Sequence, residues 1–291
     1  MPTIFKISRY LARHLKISLK TFIGVMMRKY LNIFSTSLRQ ESKTFTNALT
    51  SSVSFVVIIY IFKQLWQFIY GGQGGGTLIN GYTLEMMIWY MIMAEIFMYA
   101  VNARGVTRTF SNDIKSGKIA YQLNKPYNYY FYQVSSSLGE CMWKLAFLLP
   151  TAVVIGLLLL GPISGFEVIH LLPLALCLIL GVVLTCLIYG AVGLLAFWIE
   201  EASPFTWIIQ KFQMLFGLFF PPEFFPLWLQ PAINYSPVYA MMSGPCKLLA
   251  NFSWELFEKV LVSQVVWTVV FVSLGLVVYK LGSRKVNVHG G

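Results

Sequence analysis

The chain has 291 residues, 57% of them apolar and 11% charged, with a formal net charge of +11. Soluble domains are about a quarter charged, so this composition excludes an ordinary soluble enzyme or binding module and points to an all-α polytopic membrane protein. A nucleic-acid-binding domain is excluded too: nine of the 22 basic residues precede residue 45, five lie from Arg104 to Lys125 and three from Lys280 to Lys285, so the charge flanks apolar runs.

Residues 1–45 are predicted to hold a cytoplasmic amphipathic helix at the membrane interface. Lys6, Arg9, Arg13, Lys16 and Lys20 recur at spacings of three and four, opposite Ile4, Ile7, Leu11, Leu15, Leu19, Phe22 and Met26. At 100° per residue the basic set occupies an arc about 80° wide. Each such residue near an anionic surface contributes about 1 kcal/mol. A charged face on a helix packed against protein would carry the same pattern. No uninterrupted apolar stretch follows the charges, so the segment does not read as a secretory signal.

A spanning helix needs roughly 20 mostly apolar residues. Six candidate runs lie near 48–70, 83–103, 140–161, 168–198, 206–220 and 259–280, within a transmembrane domain over 46–285 and ahead of a tail at 286–291. With the N-terminus inside, the inner segments hold 17 basic residues, the outer loops 71–82 and 161–170 hold none, and 221–258 holds only Lys247. The positive-inside rule therefore puts both termini in the cytoplasm. One inner loop dissents: "WIEEASP" at 198–204 carries Glu200 and Glu201 and no basic residue.

The outer run "GGQGGG" at 71–76 reads as a flexible linker. It lacks the lysine and hydroxyl of a phosphate-binding loop, so the chain is not expected to hydrolyse ATP. Other enzyme readings fail as well. Asp113 is the one aspartate, HExxH is absent, and His14, His170 and His289 are too scattered to suggest a metal site. Cys141, Cys177, Cys186 and Cys246 show no CxxC spacing and read as packing thiols.

In the second run, Glu95 lies in "WYMIMAEIFMYA", roughly 14 Å above the inner boundary counted from Arg104 at about 1.5 Å per residue. A carboxyl at that depth faces a cavity or a partner, which makes Glu95 a candidate pathway residue and equally a structural one. Lys63 and Glu85 lie nearer the outer surface and are plausible partners for each other.

The stretch "RTFSNDIKSGKIAYQLNKP" follows, inside the cytoplasmic loop 104–126. It predicts a short helix from about Arg108 to Ser116, with Gly117 as the left-handed residue after its end. Pro126 suits the first position of the next helix. Tyr127, Tyr129, Tyr130 and Tyr132 are expected at a headgroup boundary. A compact element there can dock a soluble partner, or it can be a solvated connector.

Further on, "GLFFPPEFFPLWLQPAINYSP" holds Pro221, Pro222, Pro226, Pro231 and Pro237, too many for one straight span. A re-entrant outer hairpin before the last span, over 221–245, is one reading. A plain outer loop with aromatic anchors is the other.

Two of these stretches resemble a family. "NDIKSGKIAYQLNKPYN" is similar to the cytoplasmic loop of ABC-2-type permeases, the membrane subunits of ABC exporters. Ile114, Ser116, Gly117, Ile119, Tyr121, Leu123, Lys125 and Pro126 carry the likeness. "FPLWLQPAINYSPVYAMMSGP" is similar to the segment before the last span in that family, through Pro226, Trp228, Leu229, Pro237, Gly244 and Pro245.

The resemblance implies a permease subunit of an ATP-driven exporter. A cytoplasmic ABC ATPase subunit would bind ATP and Mg, with no cofactor on this chain. A second permease subunit, identical or similar, would complete the pathway. Asp113, Ile114, Lys115, Gly117, Lys118, Tyr121, Leu123, Lys125 and Pro126 would couple the spans to the ATPase. Pro226, Trp228, Pro237, Gly244 and Pro245 would form an outer gate. The substrate is unidentified, and the apolar, aromatic spans would suit an amphipathic or lipidic one. The alternatives are an ion-coupled secondary transporter or channel using Glu95, and a membrane component that only anchors a partner.

Overall fold

Inside a bilayer no water satisfies backbone N–H and C=O groups, so an apolar run must close its hydrogen bonds within itself, as a helix does. The computed structural model describes residues 27–43, 45–71, 78–163, 165–199 and 201–289. The basic stripe Lys6, Arg9, Arg13, Lys16 and Lys20 lies outside them, as do residues 72–77 of the glycine-rich linker and Glu200. The described residues contain no strand beyond an isolated bridge between Ile79 and Tyr82.

The described residues form eleven α-helices: α1 (27–41), α2 (Phe45–Ile69), α3 (Leu84–Ala100), α4 (Ala103–Lys115), α5 (Lys118–Leu123), α6 (Tyr129–Leu160), α7 (Leu171–Gly193), α8 (Ser203–Gln213), α9 (Gln230–Asn234), α10 (Gly244–Ala250) and α11 (Trp254–His289). Among the described residues, five helical stretches are long and apolar enough to cross a membrane: Leu49–Ile69, Leu84–Lys115, Tyr129–Leu160, Val168–Phe197 and Trp254–Lys285. The expected run at 206–220 is helical but shorter. α8 passes into a π-helical turn at Met214–Phe219, and the chain becomes extended at Phe220, before Pro221 and Pro222.

α3 and α7 are apolar on every side, and both are interior helices. α2 and α11 instead leave one apolar flank exposed, including Val53, Val57 and Ile61 on α2 and Val262, Val269 and Val277 on α11. Lipid tails are as apolar as leucine, so close packing and hydrogen bonds must hold such a bundle together. Tyr130 shows how. Its ring fits where Gly190 of α7 and Gly275 of α11 have no side chain, and its hydroxyl donates to Leu187 O at 2.9 Å.

Helix boundaries depart from expectation in three places, each for a local reason. The helix expected from Arg108 begins at Ala103, because the Asn102 side chain caps it by accepting from Gly105 N at 3.0 Å. Pro126 does not open the next helix. Asn128 does, its side chain accepting from Tyr130 N at 2.9 Å and Phe131 N at 3.3 Å. α6 then runs 32 residues, about 48 Å at the α-helical rise, so it exceeds the expected run from residue 140.

α1 docks across α6 and the turn before it. Lys29 donates to Pro126 O at 3.2 Å, Tyr30 Oη accepts from Asn128 N at 3.0 Å, and the Ser37 and Ser136 hydroxyls meet at 2.8 Å. Gly139 makes this crossing possible, since a Cβ there would stand 2.4 Å from Phe34 O, a backbone atom that cannot swing aside. Gly139→Leu is therefore expected to lift α1 from α6. A Ser37→Cys, Ser136→Cys pair should form a disulfide under mild oxidation in the parent chain and fail to form it with Gly139→Leu.

Candidate functional site

The residues of the loop 104–126 are almost entirely helical. α4 is amphipathic: Val106, Thr107, Phe110 and Asp113 are buried, while Arg104, Arg108, Asn112 and Lys115 are exposed. Phe110 lies against Gly193 at the end of α7, where any larger residue would collide with its ring. Ser116 ends the helix, and Gly117 follows with φ 72° and ψ −2°, the left-handed conformation expected of it. This reversal launches α5, whose Ile119 and Gln122 turn inward while Tyr121 stands 67% exposed.

Asp113 faces inward, and it is the centre of the site's hydrogen bonding. Its carboxylate accepts from Tyr129 Oη at 2.7 Å and pairs with Lys118 Nζ at 3.3 Å. Gln133 Nε2 in turn donates to Tyr129 Oη at 2.9 Å. One short-chain acid thus ties α4, α5 and the start of α6 together. Tyr127 Oη adds a bond to Gln122 Oε1 at 2.7 Å, and Lys125 Nζ stands 4.6 Å from the Tyr121 ring centre.

The expected tyrosine belt needs correcting at two positions. Tyr129 and Tyr130 are fully buried inside the protein, because α6 begins early enough to carry them into contact with α4, α7 and α11. Tyr127 and Tyr132 stack at 5.0 Å and are half-buried. Of the nine residues expected to couple, Asp113 is buried, Ile114, Leu123 and Lys125 are partly covered, and Lys115, Gly117, Lys118, Tyr121 and Pro126 are exposed. They form one contiguous element with two faces.

Glu201 belongs to this element, although it is 86 positions from its partner. Its carboxylate binds Lys115 Nζ at 2.9 Å and accepts from the hydroxyl and the N–H of Ser203. The Ser203 hydroxyl, then Lys115, hold the Glu201 carboxyl down to about 2 from its ordinary 4.5. A depressed pKa means that the contribution is complete above the unfolded value and is lost as pH falls. The stability difference between the parent chain and Glu201→Gln should be constant above about pH 5 and vanish on titration towards pH 2. A difference unchanged down to pH 2 would show that the carboxylate is not held this way. The acidic pair "EE" was the visible signal in the sequence, but nothing there named Lys115.

Glu95 is buried on α3, and no hydrogen bond or ion pair reaches it among the described residues. It lies one turn from Met91 and from Tyr99, which meet Trp66 and Phe55 of α2. The expected Lys63–Glu85 pair does not form. Lys63 Nζ instead donates to Leu159 O of α6 at 3.1 Å, because α6 passes beside α2 at that level.

The proline-rich stretch makes a separate element at the opposite end of the bundle. Pro226 and Trp228 lie in an exposed turn, Pro237 is half-buried, and Gly244 and Pro245 are buried. Past Tyr235 the chain reverses into a helical stretch, a π turn at Tyr239–Ser243 followed by α10, which is buried among α3, α7 and α11. Gln264 of α11 anchors it, donating to Ala240 O at 3.0 Å and to Cys177 O of α7 at 2.8 Å. Glu223 pairs with Lys247 and accepts from Tyr82 Oη at 3.1 Å, a cluster that the sequence did not flag.

The comparisons with known proteins agree with this architecture. No curated protein matches the chain with significance. A family model described as ABC-2 family transporter protein matches residues 49–290, which takes in every spanning helix, the α4–α5 element and the proline-rich stretch. The chain is a multi-pass membrane permease that belongs to the ABC-2 family of transporter proteins.

Proposed function

We propose that the chain is the membrane subunit of an ATP-driven exporter that moves an amphipathic or lipidic substrate out of the cytoplasm. A separate cytoplasmic ATPase subunit binds ATP and Mg, and a second permease subunit completes the pathway. The observation that carries this reading, beside the family match, is the α4–α5 element. It is short, capped at Asn102, reversed at Gly117 and braced by Asp113, and it presents Lys115, Lys118 and Tyr121 outward. Such a rigid element transmits a push without absorbing it.

On this reading both termini are cytoplasmic, in the plasma or inner membrane of a bacterial cell. α8 and its π turn are the fifth of six spans. Residues 221–245 form a re-entrant outer segment. The reversal at Tyr235 supports that, because Trp267 Nε1, well inside the longest helix, donates to Tyr235 O at 3.1 Å.

The test is to tag the C-terminus, extract the chain in mild detergent from its native cells and identify what co-purifies. A stoichiometric P-loop ATPase, lost when residues 113–123 are scrambled, is the expected result. Its absence under several gentle conditions would favour an ion-coupled carrier, for which the buried Glu95 is the first residue to mutate.

Gly117→Val refines the test. A Cβ at Gly117 meets nothing within 4 Å, so the substitution acts through backbone strain alone, about 1–3 kcal/mol. The reconstituted complex should lose stimulation of its ATPase with Gly117→Val and keep most of it with Gly117→Asn, since asparagine tolerates this conformation. Equal activity in both would remove the coupling role.

A further inference from the structure

α4 and α8 run antiparallel, as the pairs Arg104–Gln210, Thr107–Thr206 and Lys115–Glu201 establish. Between them opens a cleft of about 700 Å³. Arg104, Arg108 and Asn112 follow one another at single turns along one exposed edge of α4, and Ser203, Thr206 and Trp207 line the facing wall.

The cleft has an excess of positive charge. Arg104 uses one of its five donors on Gln210 Oε1 at 3.3 Å, and Arg108 has no ion pair or hydrogen bond among the described residues. Lys211, outside the lining, stands 5.4 Å from the Trp207 ring centre. Glu201, the acid in the lining, is already engaged by Lys115 and Ser203. Glu201 also accepts from the Ser203 N–H at the start of α8, so the free positive charge of the cleft rests on the two arginines.

We infer that this cleft binds the phosphate group of an anionic phospholipid. Two arginines one turn apart suit the oxygens of a phosphodiester, to which the guanidinium fork donates in pairs. Basic pockets between helices at the membrane boundary take such headgroups. The position favours a lipid over a soluble anion. The apolar run of α3 ends at Val101, Arg104 follows three residues on, and Trp207, 53% exposed, is the kind of side chain that sits at headgroup level. Binding itself does not depend on the exporter reading. Only the assignment to the inner leaflet rests on the orientation proposed above.

The test is native mass spectrometry of the full chain in detergent, titrated with phosphatidylglycerol, with phosphatidylcholine and with inorganic phosphate. Phosphatidylglycerol should bind with 1:1 stoichiometry in preference to phosphatidylcholine. Arg104→Gln with Arg108→Gln should weaken it about 25-fold, at about fivefold for each cation removed at the boundary. The same loss of charge at Arg39→Gln with Lys43→Gln should change it less than twofold, and Arg104→Lys with Arg108→Lys should weaken it by less than the glutamine pair, since charge is kept and the paired donors are lost. Equal weakening by both glutamine pairs would overturn the inference, as would equal binding of the two lipids. Inorganic phosphate binding at the same low concentration would assign the cleft to a soluble anion instead of a lipid. Repeating the titration with the co-purified ATPase attached supplies one more arm, and loss of phosphatidylglycerol there would give the cleft to the partner and overturn the lipid assignment.

Discussion

Asp113→Ala is expected to destabilise the chain by about 2 kcal/mol, whereas Asp113→Asn should cost less than about 1 kcal/mol. The asymmetry follows from what each change leaves behind. Alanine deprives the fully buried Tyr129 hydroxyl of its acceptor at 2.7 Å, and an unmet buried donor costs about 1–3 kcal/mol. Asparagine keeps a carbonyl oxygen for Tyr129 and loses only the attraction to Lys118, whose side chain is 61% exposed. Exposed pairs of that kind contribute about 0–1 kcal/mol. Equilibrium unfolding in mixed micelles measures both values. Similar costs for the two variants would mean that charge, and not the Tyr129 hydrogen bond, holds α4 to α6. The variants also bear on function, because α5 is aimed by this network. Asp113→Ala should therefore weaken capture of the ATPase subunit more than Asp113→Asn does.

Glu223→Ala is expected to cost about 2 kcal/mol and to be partly rescued by adding Lys247→Met, which leaves the Tyr82 hydroxyl still without its acceptor. The Lys247 side chain is only 15% exposed, so removing its partner strands a cation in a poorly hydrated site. Complete burial would raise the cost to about 3–5 kcal/mol, but residual exposure and the Tyr239 ring 5.9 Å from Lys247 Nζ reduce it. Replacing both charges removes the stranded cation along with the pair. A double-mutant cycle in the same unfolding assay isolates this coupling. Additive costs would show that the two side chains do not act together. The pair ties the proline-rich turn to α10, so Glu223→Ala should also speed proteolysis near Trp228, which is 78% exposed.

Much of the fold was legible in the amino-acid sequence because the bilayer imposes one rule along the chain. A span must be apolar for roughly 20 residues and must be helical. The runs near 48–70, 83–103 and 168–198 follow that rule, and helices occupy those positions. Gly117 was legible for a comparable reason: a left-handed residue after a polar helix is a local requirement that glycine meets almost alone. Local signals also misled. Pro126 is a good first residue for a helix, yet Asn128 two positions later supplies a capping oxygen and sets the start of α6.

Side-chain partners were not legible, because they depend on which helix edges meet. Asp113 lies in a polar stretch that names no partner for it. Only the packing of α4 on α7 and of α6 on α4 turns it inward to Tyr129. Lys115 and Glu201 are 86 positions apart, Glu223 and Lys247 are 24 apart, and Lys63 finds a backbone carbonyl 96 positions away. The amino-acid sequence alone determined the helical class, the spanning segments among these runs and the reversal at Gly117, since each depends on a residue and its near neighbours. The tertiary structure decided which charges are neutralised, which tyrosines are buried and where the arginine-lined cleft opens. Hydrocarbon places little constraint on how one apolar helix faces another, so small residues such as Gly139, Gly190 and Gly275 and a few hydrogen bonds set the facing edges.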